Sequence, residues 1–245
     1  GDVYKRQEFK NVSLTYSGSG APSVEGINFK AMKGQTIGVI GGTGSGKSSL
    51  VNLIPRLYDA TQGEVLVDGV NVKDYDIEAL RNKVGIVMQK AVLFKGTIRE
   101  NMWMGKKGAT DEQIDEALEI SQSKEFVDSK QGRLDYVIEQ GGKNLSGGQR
   151  QRLTIARAIV RKPDVLILDD SASALDFATD AALRKAIRGM NNSPTVFIVS
   201  QRAASLMYAD LIIVLDDGQV AGMGTHDELL ANCEVYKEIY ESQFK

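Results

Sequence analysis

TIGVIGGTGSGKSSL, residues 36–50, decides the fold. Residues 36–40 form a short, mainly apolar and β-branched run of the kind that fills a buried strand. That run leads straight into GGTGSGKS at 41–48, which matches G-x-x-x-x-G-K-[ST]. Helical spacing follows through Leu50, Leu53 and Ile54, with Pro55 bending or ending the helix. Strand, glycine-rich turn and helix start, in that order, are the context a phosphate loop needs. Gly41, Gly44 and Gly46 let the backbone curl with its N–H groups turned inward. The free amides and dipole of a helix start then favour a polyphosphate. Lys47 is placed to reach β- and γ-oxygens, and Ser48 to coordinate a magnesium ion. A glycine turn beside a chance lysine would not bring both the strand and the helix with it.

Outward from this loop the pattern alternates. EFKNVSLTY at 8–16 reads as a strand, SGSGAPS at 17–23 as a loop, and EVLVDGVNV at 64–72 as two short strands around Asp68-Gly69, a strong hairpin signal. VGIVMQ at 84–89 predicts a buried strand ending in Gln89. From about 97 to 160 the chain turns helix-rich and charged, with a glycine-rich interruption at 141–148. There DEQIDEALEISQ at 111–122 puts Ile114, Ala117, Leu118 and Ser121 on one face, with Asp111 as an N-terminal charge. Apolar strands resume with VLILD at 165–169, TVFIVS at 195–200 and DLIIVLDDGQV at 210–220. Continuous apolar strands between helices predict a parallel sheet covered on both faces. The whole is one interrupted unit rather than two tandem domains, and no internal repeat is visible. Near the end, Thr225 with Glu228 fits a capping box, which makes the neighbourhood of His226 a surface helix start.

Composition excludes several classes. The 245 residues are 42% hydrophobic, enough for a packed core rather than disorder. A net charge of −2 argues against a nucleic-acid partner or a polybasic membrane surface. The apolar runs fall well short of the roughly 18 residues of a membrane span. Cys233 is the single cysteine, so an intrachain disulfide is impossible and a reducing compartment is expected. His226 is the single histidine. Residues 2–7, DVYKRQ, resemble the translated end of a sequencing-library adaptor or else form an ordinary linker; residues 1–7 are set aside as a non-native or linker segment.

Asp169 closes the apolar strand at 165–168. A carboxylate at a strand's C-terminal end, in a sheet with a phosphate loop, is where a magnesium ligand belongs. Residues 145–149, LSGGQ, run into the helix-forming RQRLTIARAIVRKPD. Their glycines and Ser146 suit backbone amides and a hydroxyl to an anion at a helix start.

With these residues the chain resembles the nucleotide-binding domain of the ATP-binding-cassette (ABC) family over essentially residues 8–245. The resemblance implies an α/β P-loop NTPase: a RecA-like core with a small antiparallel β-subdomain and a helical subdomain at about 91–160. It implies that Tyr16 stacks on adenine and that Gly41, Gly42, Thr43, Gly44, Ser45, Gly46, Lys47, Ser48 and Ser49 hold ATP. Mg2+ would take Ser48, Gln89 and Asp169. Leu145, Ser146, Gly147, Gly148 and Gln149 would grip the γ-phosphate held by a second domain, with Asp176 of the loop Ser173-Ala174-Leu175-Asp176 crossing to it. Lys47, Gln89, Asp170 and Gln201 would carry hydrolysis. LFKGTIRENM at 93–102 and the tail Tyr240–Gln243 resemble the exporter branch. The implied partners are a transmembrane domain of the same transporter, encoded upstream, and a second nucleotide-binding domain, at the cytoplasmic face of the membrane.

Two positions depart from the family pattern. Active members carry a glutamate where this chain has Asp170, and a switch histidine where it has Gln201. Aspartate is one methylene shorter, and a misplacement of ~1 Å can lower a rate about a hundredfold. Gln201 can hydrogen-bond a γ-phosphate but cannot become cationic. Both changes spare nucleotide binding. They imply a degenerate site in a heterodimeric exporter, the partner being a different chain. The alternatives are a fully active homodimeric exporter ATPase, a soluble non-transport ABC ATPase, and an ATP-dependent clamp that does not hydrolyse. A P-loop kinase or GTPase is disfavoured by LSGGQ and by the absence of N-K-x-D.

Overall fold

The structure is a computed structural model that describes residues 6–90 and 92–244. The chain divides into two compact units, one formed by the described residues up to Val84 with those from Thr195 onward, the other by Gly85–Pro194. The helix-rich stretch thus lies inside an insertion that interrupts the first unit.

In the first unit, β1 (Arg6–Leu14), β2 (Val24–Met32), β4 (Gln62–Val67) and β5 (Val70–Asn71) form an antiparallel sheet in the order β2-β1-β4-β5. β1 begins at Arg6, and Gln7 is buried, so the last two residues of the segment set aside as a linker belong to the sheet. Residues 1–5 lie outside the described residues. A bulge interrupts β1 at Asn11, whose φ is +50°. β1 also ends before Thr15 and Tyr16, which frees Tyr16 from the strand. The β4–β5 turn has Asp68 at φ +50° and Gly69 at +77°, the pair of positive φ values that a two-residue hairpin requires.

The second sheet of this unit runs β12-β11-β3-β10, from β3 (Thr36–Gly41), β10 (Thr195–Val199), β11 (Leu211–Asp216) and β12 (Gln219–Gly224). β3 pairs in parallel with both β10 and β11, so its Ile37, Val39 and Ile40 are buried. The run 210–220 is not one parallel strand: Asp217 (φ +48°) and Gly218 (φ +79°) turn it into an antiparallel hairpin. The dipeptide has the same turn chemistry as the one at 68–69, masked by the apolar residues before it. Phe9 stacks on Phe29 at 4.5 Å between ring centroids, and Phe29 meets Phe197 edge-on at 6.1 Å, joining the two sheets through aromatic packing. α1 (Lys47–Asn52) stops three residues before Pro55, so Leu53 and Ile54 are buried in the turn after it. α2 (Ile77–Lys83) is capped by Asp76.

α8 (His226–Asn232) starts with the expected capping box of Thr225 and Glu228. His226 is nonetheless buried, not at the surface. Its Nδ1 lies 2.5 Å from the hydroxyl of Tyr236, a fully buried residue of α9 (Glu234–Gln243). Burial pushes the Tyr236 phenol up to about 12.

The second unit contains β6 (Val84–Val87), β7 (Gly96–Thr97), α3 (Ile98–Trp103), α4 (Asp111–Ile120), α5 (Lys124–Asp128), β8 (Val137–Ile138), α6 (Gly147–Ile159), β9 (Val165–Asp169) and α7 (Phe177–Arg188). β7 pairs with β8, and β6 neighbours β9. The apolar face of α4 is buried as its spacing predicts, Ile114, Ala117, Leu118 and Ser121 all being inaccessible. Its cap is Thr110 boxed with Gln113, while Asp111 is engaged by Arg99 at 2.9 and 3.1 Å. Among the described residues no helix is long and apolar enough to cross a membrane.

Replacing Tyr236 by Phe leaves Nδ1 of a buried histidine without its partner, which costs about 1–3 kcal/mol. A fall in Tm at neutral pH is the expected result. The phenol adds a pH term of known sign: its folded pKa of about 12 exceeds the unfolded value of about 10, so the stability it confers is intact below about pH 10 and lost as pH rises toward 12. Thermal melts of the two proteins from pH 7 to 11 should therefore show the gap narrowing above pH 10.

Candidate functional site

The phosphate loop leaves β3 at Gly41 and enters α1 at Lys47. Two of its glycines are required by contacts. A Cβ on residue 41 would lie 2.4 Å from the Leu215 carbonyl oxygen, and one on residue 46, whose φ is +101°, would lie 2.5 Å from that of Ser23. A Cβ on Gly42 or Gly44 would meet nothing within 4 Å, so there the missing side chains leave room for a ligand. α1 is capped by Gly46 with no side-chain hydrogen bond, and the amides of its first turn have no intrahelical acceptor. The loop is braced from behind: Ser45 N–H donates to the Gly42 carbonyl, and Gly218 N–H donates to that of Ser45, at 3.1 and 3.0 Å. Ser45 Oγ is buried without a hydrogen-bond partner.

Lys47 Nζ donates to the carbonyls of Gly41 and Gly42 at 2.7 and 2.8 Å, so the ammonium stands over the loop that its own helix completes. Ser48 follows one residue on and is exposed. A cleft of about 450 Å³ opens here, lined by Gly44, Ser45, Gly46, Lys47, Ser48 and Ser49, by 19 and 21–23 of the β1–β2 loop, and by Asp217 and Gly218. Tyr16 adjoins it. Its hydroxyl is 2.7 Å from Ser49 Oγ, and its ring meets Tyr58 edge-on at 4.8 Å. Nothing in the sequence around Tyr58 marks it as part of this site; its partner lies 42 residues away in the chain.

Gln201 follows β10 in the same unit, with its side chain exposed. Its carbonyl accepts a hydrogen bond from Gln243 Nε2, and Ala203 N–H donates to Gln243 Oε1 at 2.8 Å.

The second unit gathers the remaining sequence-predicted residues. β6 ends at Val87, two residues short of the predicted strand end, so Gln89 stands in an exposed turn. Its Nε2 donates to Asp170 Oδ2 at 3.2 Å. Asp169 is buried at the end of β9, and Asp170 turns the chain with φ +51°, a conformation Asp tolerates better than most residues. Ser171 Oγ donates to the Val87 carbonyl at 2.7 Å and pins this turn to β6.

Residues 145–149 form the start of α6. Ser146 is the N-cap: its Oγ accepts from Gln149 N–H, and its own N–H donates to Gln149 Oε1. The Ser146 hydroxyl acts in this cap as an acceptor and so retains a proton to donate, and the residue is exposed. The loop 173–176 packs on this helix start. Gln151 donates through Nε2 to Ser173 Oγ at 3.0 Å and accepts from Ala174 N–H at 2.8 Å. A Cβ on Gly148 would lie 3.3 Å from the Ala174 carbonyl oxygen. Asp176 caps α7, and the hydrogen bond from Thr179 N–H holds its carboxyl below the usual range. Arg157 of α6 donates to the Val92 carbonyl at 2.9 Å and lies over the Phe94 ring at 5.8 Å, tying the 93–102 segment to the same helix.

The donors assigned to magnesium are a hydroxyl (Ser48), a side-chain amide (Gln89) and a carboxylate (Asp169), all hard oxygen ligands that fit this ion. Among the described residues no group of three or more His, Cys, Asp or Glu could hold a metal.

The family model described as ABC transporter matches residues 24–173. An uncharacterized ABC transporter ATP-binding protein of Bacillus subtilis is 44% identical over 239 residues, 98% of this chain and 41% of that protein. One from Mycobacterium tuberculosis is 43% identical over 234 residues, 94% of this chain and 40% of that protein. The structure of a bacterial Atm1-family ABC exporter with ATP bound superimposes with a TM-score of 0.92 at 31% identity, covering 98% of this chain and 42% of that one. The chain thus spans about two fifths of the length of these relatives. With its phosphate loop and LSGGQ helix start in place, the chain belongs to the ABC transporter family, whose nucleotide-binding domains hydrolyse ATP, and has the P-loop α/β fold.

Proposed function

We propose that this domain is the motor of a membrane exporter and that its own ATP site turns over slowly. The observation that carries the first part is the coexistence in one chain of two different helix starts. One is a phosphate loop whose helix amides lack intrahelical acceptors, which suits a polyphosphate. The other is a structured LSGGQ cap, which suits a second nucleotide's γ-phosphate.

In this reading Gly41 to Ser49 hold the phosphates, with Lys47 on the β/γ oxygens, and Tyr16 presents its ring to adenine. Ser49 fixes the Tyr16 hydroxyl, so the base-facing ring and the phosphate-binding helix move together. Ser48, Gln89 and Asp169 would hold magnesium, which would supply positive charge against the transferring phosphoryl group. Asp170 orients the attacking water, and Gln201 hydrogen-bonds the γ-phosphate. Leu145 to Gln149 and Asp176 act on the site of a second nucleotide-binding domain. Closure of that pair pulls on a transmembrane domain at the cytoplasmic face of the membrane.

The slow turnover follows from chemistry at two positions. Asp170 is held by Gln89 and is too short to carry its oxygens to where a glutamate's would lie. Gln201 offers a neutral donor where an imidazolium could offset developing charge. A chain with these two residues and an intact 145–149 segment fits a heterodimer with a different cassette chain. There it binds ATP persistently at its own site and completes its partner's active one.

Two outcomes test this reading. Lys47→Ala should weaken MgATP binding at least tenfold by calorimetry, since a charge-assisted contact is worth about 1.5–3 kcal/mol. The double substitution Asp170→Glu with Gln201→His should raise steady-state turnover on the order of a hundredfold, with little change in MgATP affinity. Unchanged turnover in the double variant would remove these two positions as the cause of a slow site.

A further inference from the structure

The last helical residue of α9, Gln243, makes both hydrogen bonds of its amide group to the loop that carries Gln201. Nε2 donates to the Gln201 carbonyl, and Oε1 accepts from Ala203 N–H at 2.8 Å. The loop is fixed on its other side too: Ser200 N–H donates to the Val39 carbonyl of β3 at 3.2 Å, and Ser200 Oγ accepts from Arg202 N–H at 3.0 Å. Ser200 is thus anchored on the strand that feeds the phosphate loop, and Ala203 opens a short helical turn in which Leu206 N–H donates back to its carbonyl. Gln201 lies between these anchors with its side chain exposed and its carbonyl tied to α9.

The helix is itself firmly seated. Tyr236, Tyr240 and Gln243 recur at i, i+4 and i+7, one helical face. Tyr236 is fully buried and Tyr240 packs against the His226 ring at 5.1 Å. Glutamine supplies donor and acceptor on one planar amide, and asparagine is a methylene too short for the same reach.

We propose that Gln243 is a positioning residue for Gln201: it sets the orientation of the 201–203 backbone and thereby aims the Gln201 amide at the γ-phosphate. The proposal rests on the contact between Gln201 and that phosphate put forward under the proposed function. It goes beyond that contact by giving the C-terminal helix a part in ATP recognition.

The test uses the full 245-residue chain. Equilibrium affinities for MgATP and MgADP are measured in the unaltered protein, Gln201→Ala, Gln243→Ala, Gln243→Glu and the Gln201→Ala/Gln243→Ala pair. ADP lacks the γ-phosphate, so a general loss of structure would weaken both nucleotides, whereas mis-aiming Gln201 weakens ATP alone. The expected result is a fall in the ATP-over-ADP preference of about tenfold or more in Gln201→Ala, the loss of one hydrogen bond to a charged group. Gln243→Ala should show a comparable fall, and the pair should be no worse than Gln201→Ala alone. Gln243→Glu keeps the acceptor for Ala203 but sets a carboxylate against the Gln201 carbonyl, and should also lose preference. Hydrogen exchange at the Ala203 amide should accelerate in Gln243→Ala and not in Gln243→Glu. A normal preference in Gln243→Ala beside a reduced one in Gln201→Ala would overturn the positioning role alone. A normal preference in Gln201→Ala would overturn it together with the γ-phosphate contact of Gln201.

Discussion

Two backbone carbonyls stand closer to the phosphate loop than any side chain permits. Leu215 O blocks a Cβ at position 41, and Ser23 O blocks one at position 46. These contacts come from β11 and from the β1–β2 loop, so the glycine pattern is the imprint of neighbours as much as of a turn. β3 is held in parallel register between β10 and β11 and delivers Gly41 to that narrow space. The loop is then braced by Gly218 N–H on the Ser45 carbonyl. A helix start capped by glycine rather than by a side chain leaves its first amides without an intrahelical acceptor. α6 begins differently: Ser146 and Gln149 satisfy each other in a capping box. In the proposed function one helix start would hold a whole polyphosphate and the other a shared γ-phosphate.

Local chemistry was legible in the sequence where the signal was local. The phosphate loop sits in its strand–turn–helix frame, Asp68-Gly69 makes its hairpin, Thr225 and Glu228 close a capping box, and the buried face of α4 follows its spacing. The readings that needed correction involved partners distant in sequence or competing cues. An apolar run hid the Asp217-Gly218 turn. Arg6 and Gln7 joined a sheet because their partners are Met32 and Ala31, which residues 1–7 alone could not reveal. His226 is buried by a tyrosine of the next helix. The tie between Gln89 and Asp170 spans 81 residues, and the Gln243 clamp reaches back about forty. Periodicity reports which face is buried; it does not report which side chain will be waiting there.

The departures at 170 and 201 sit within otherwise orderly surroundings. Asp170 adopts a left-handed turn that its residue type tolerates, and Ser171 pins that turn to β6. Gln201 is flanked by the Ser200 anchor on one side and the Gln243 clamp on the other. Neither position is a loosened remnant: each side chain stands in a well-defined frame. The proposed slow site separates binding from hydrolysis, since the residues proposed to hold the phosphates are not among the two departures.

The measurement that tests this separation most directly is the chemical state of nucleotide bound to the unaltered chain. The protein is incubated with MgATP, freed of unbound nucleotide, and the ratio of bound ATP to ADP is followed over time, with the self-associated fraction isolated by size. The account predicts bound nucleotide that stays ATP over many minutes, in monomer and self-associated fractions alike. Rapid conversion to ADP in a self-associated fraction would contradict it and make Asp170 and Gln201 a sufficient catalytic pair in a homodimeric motor.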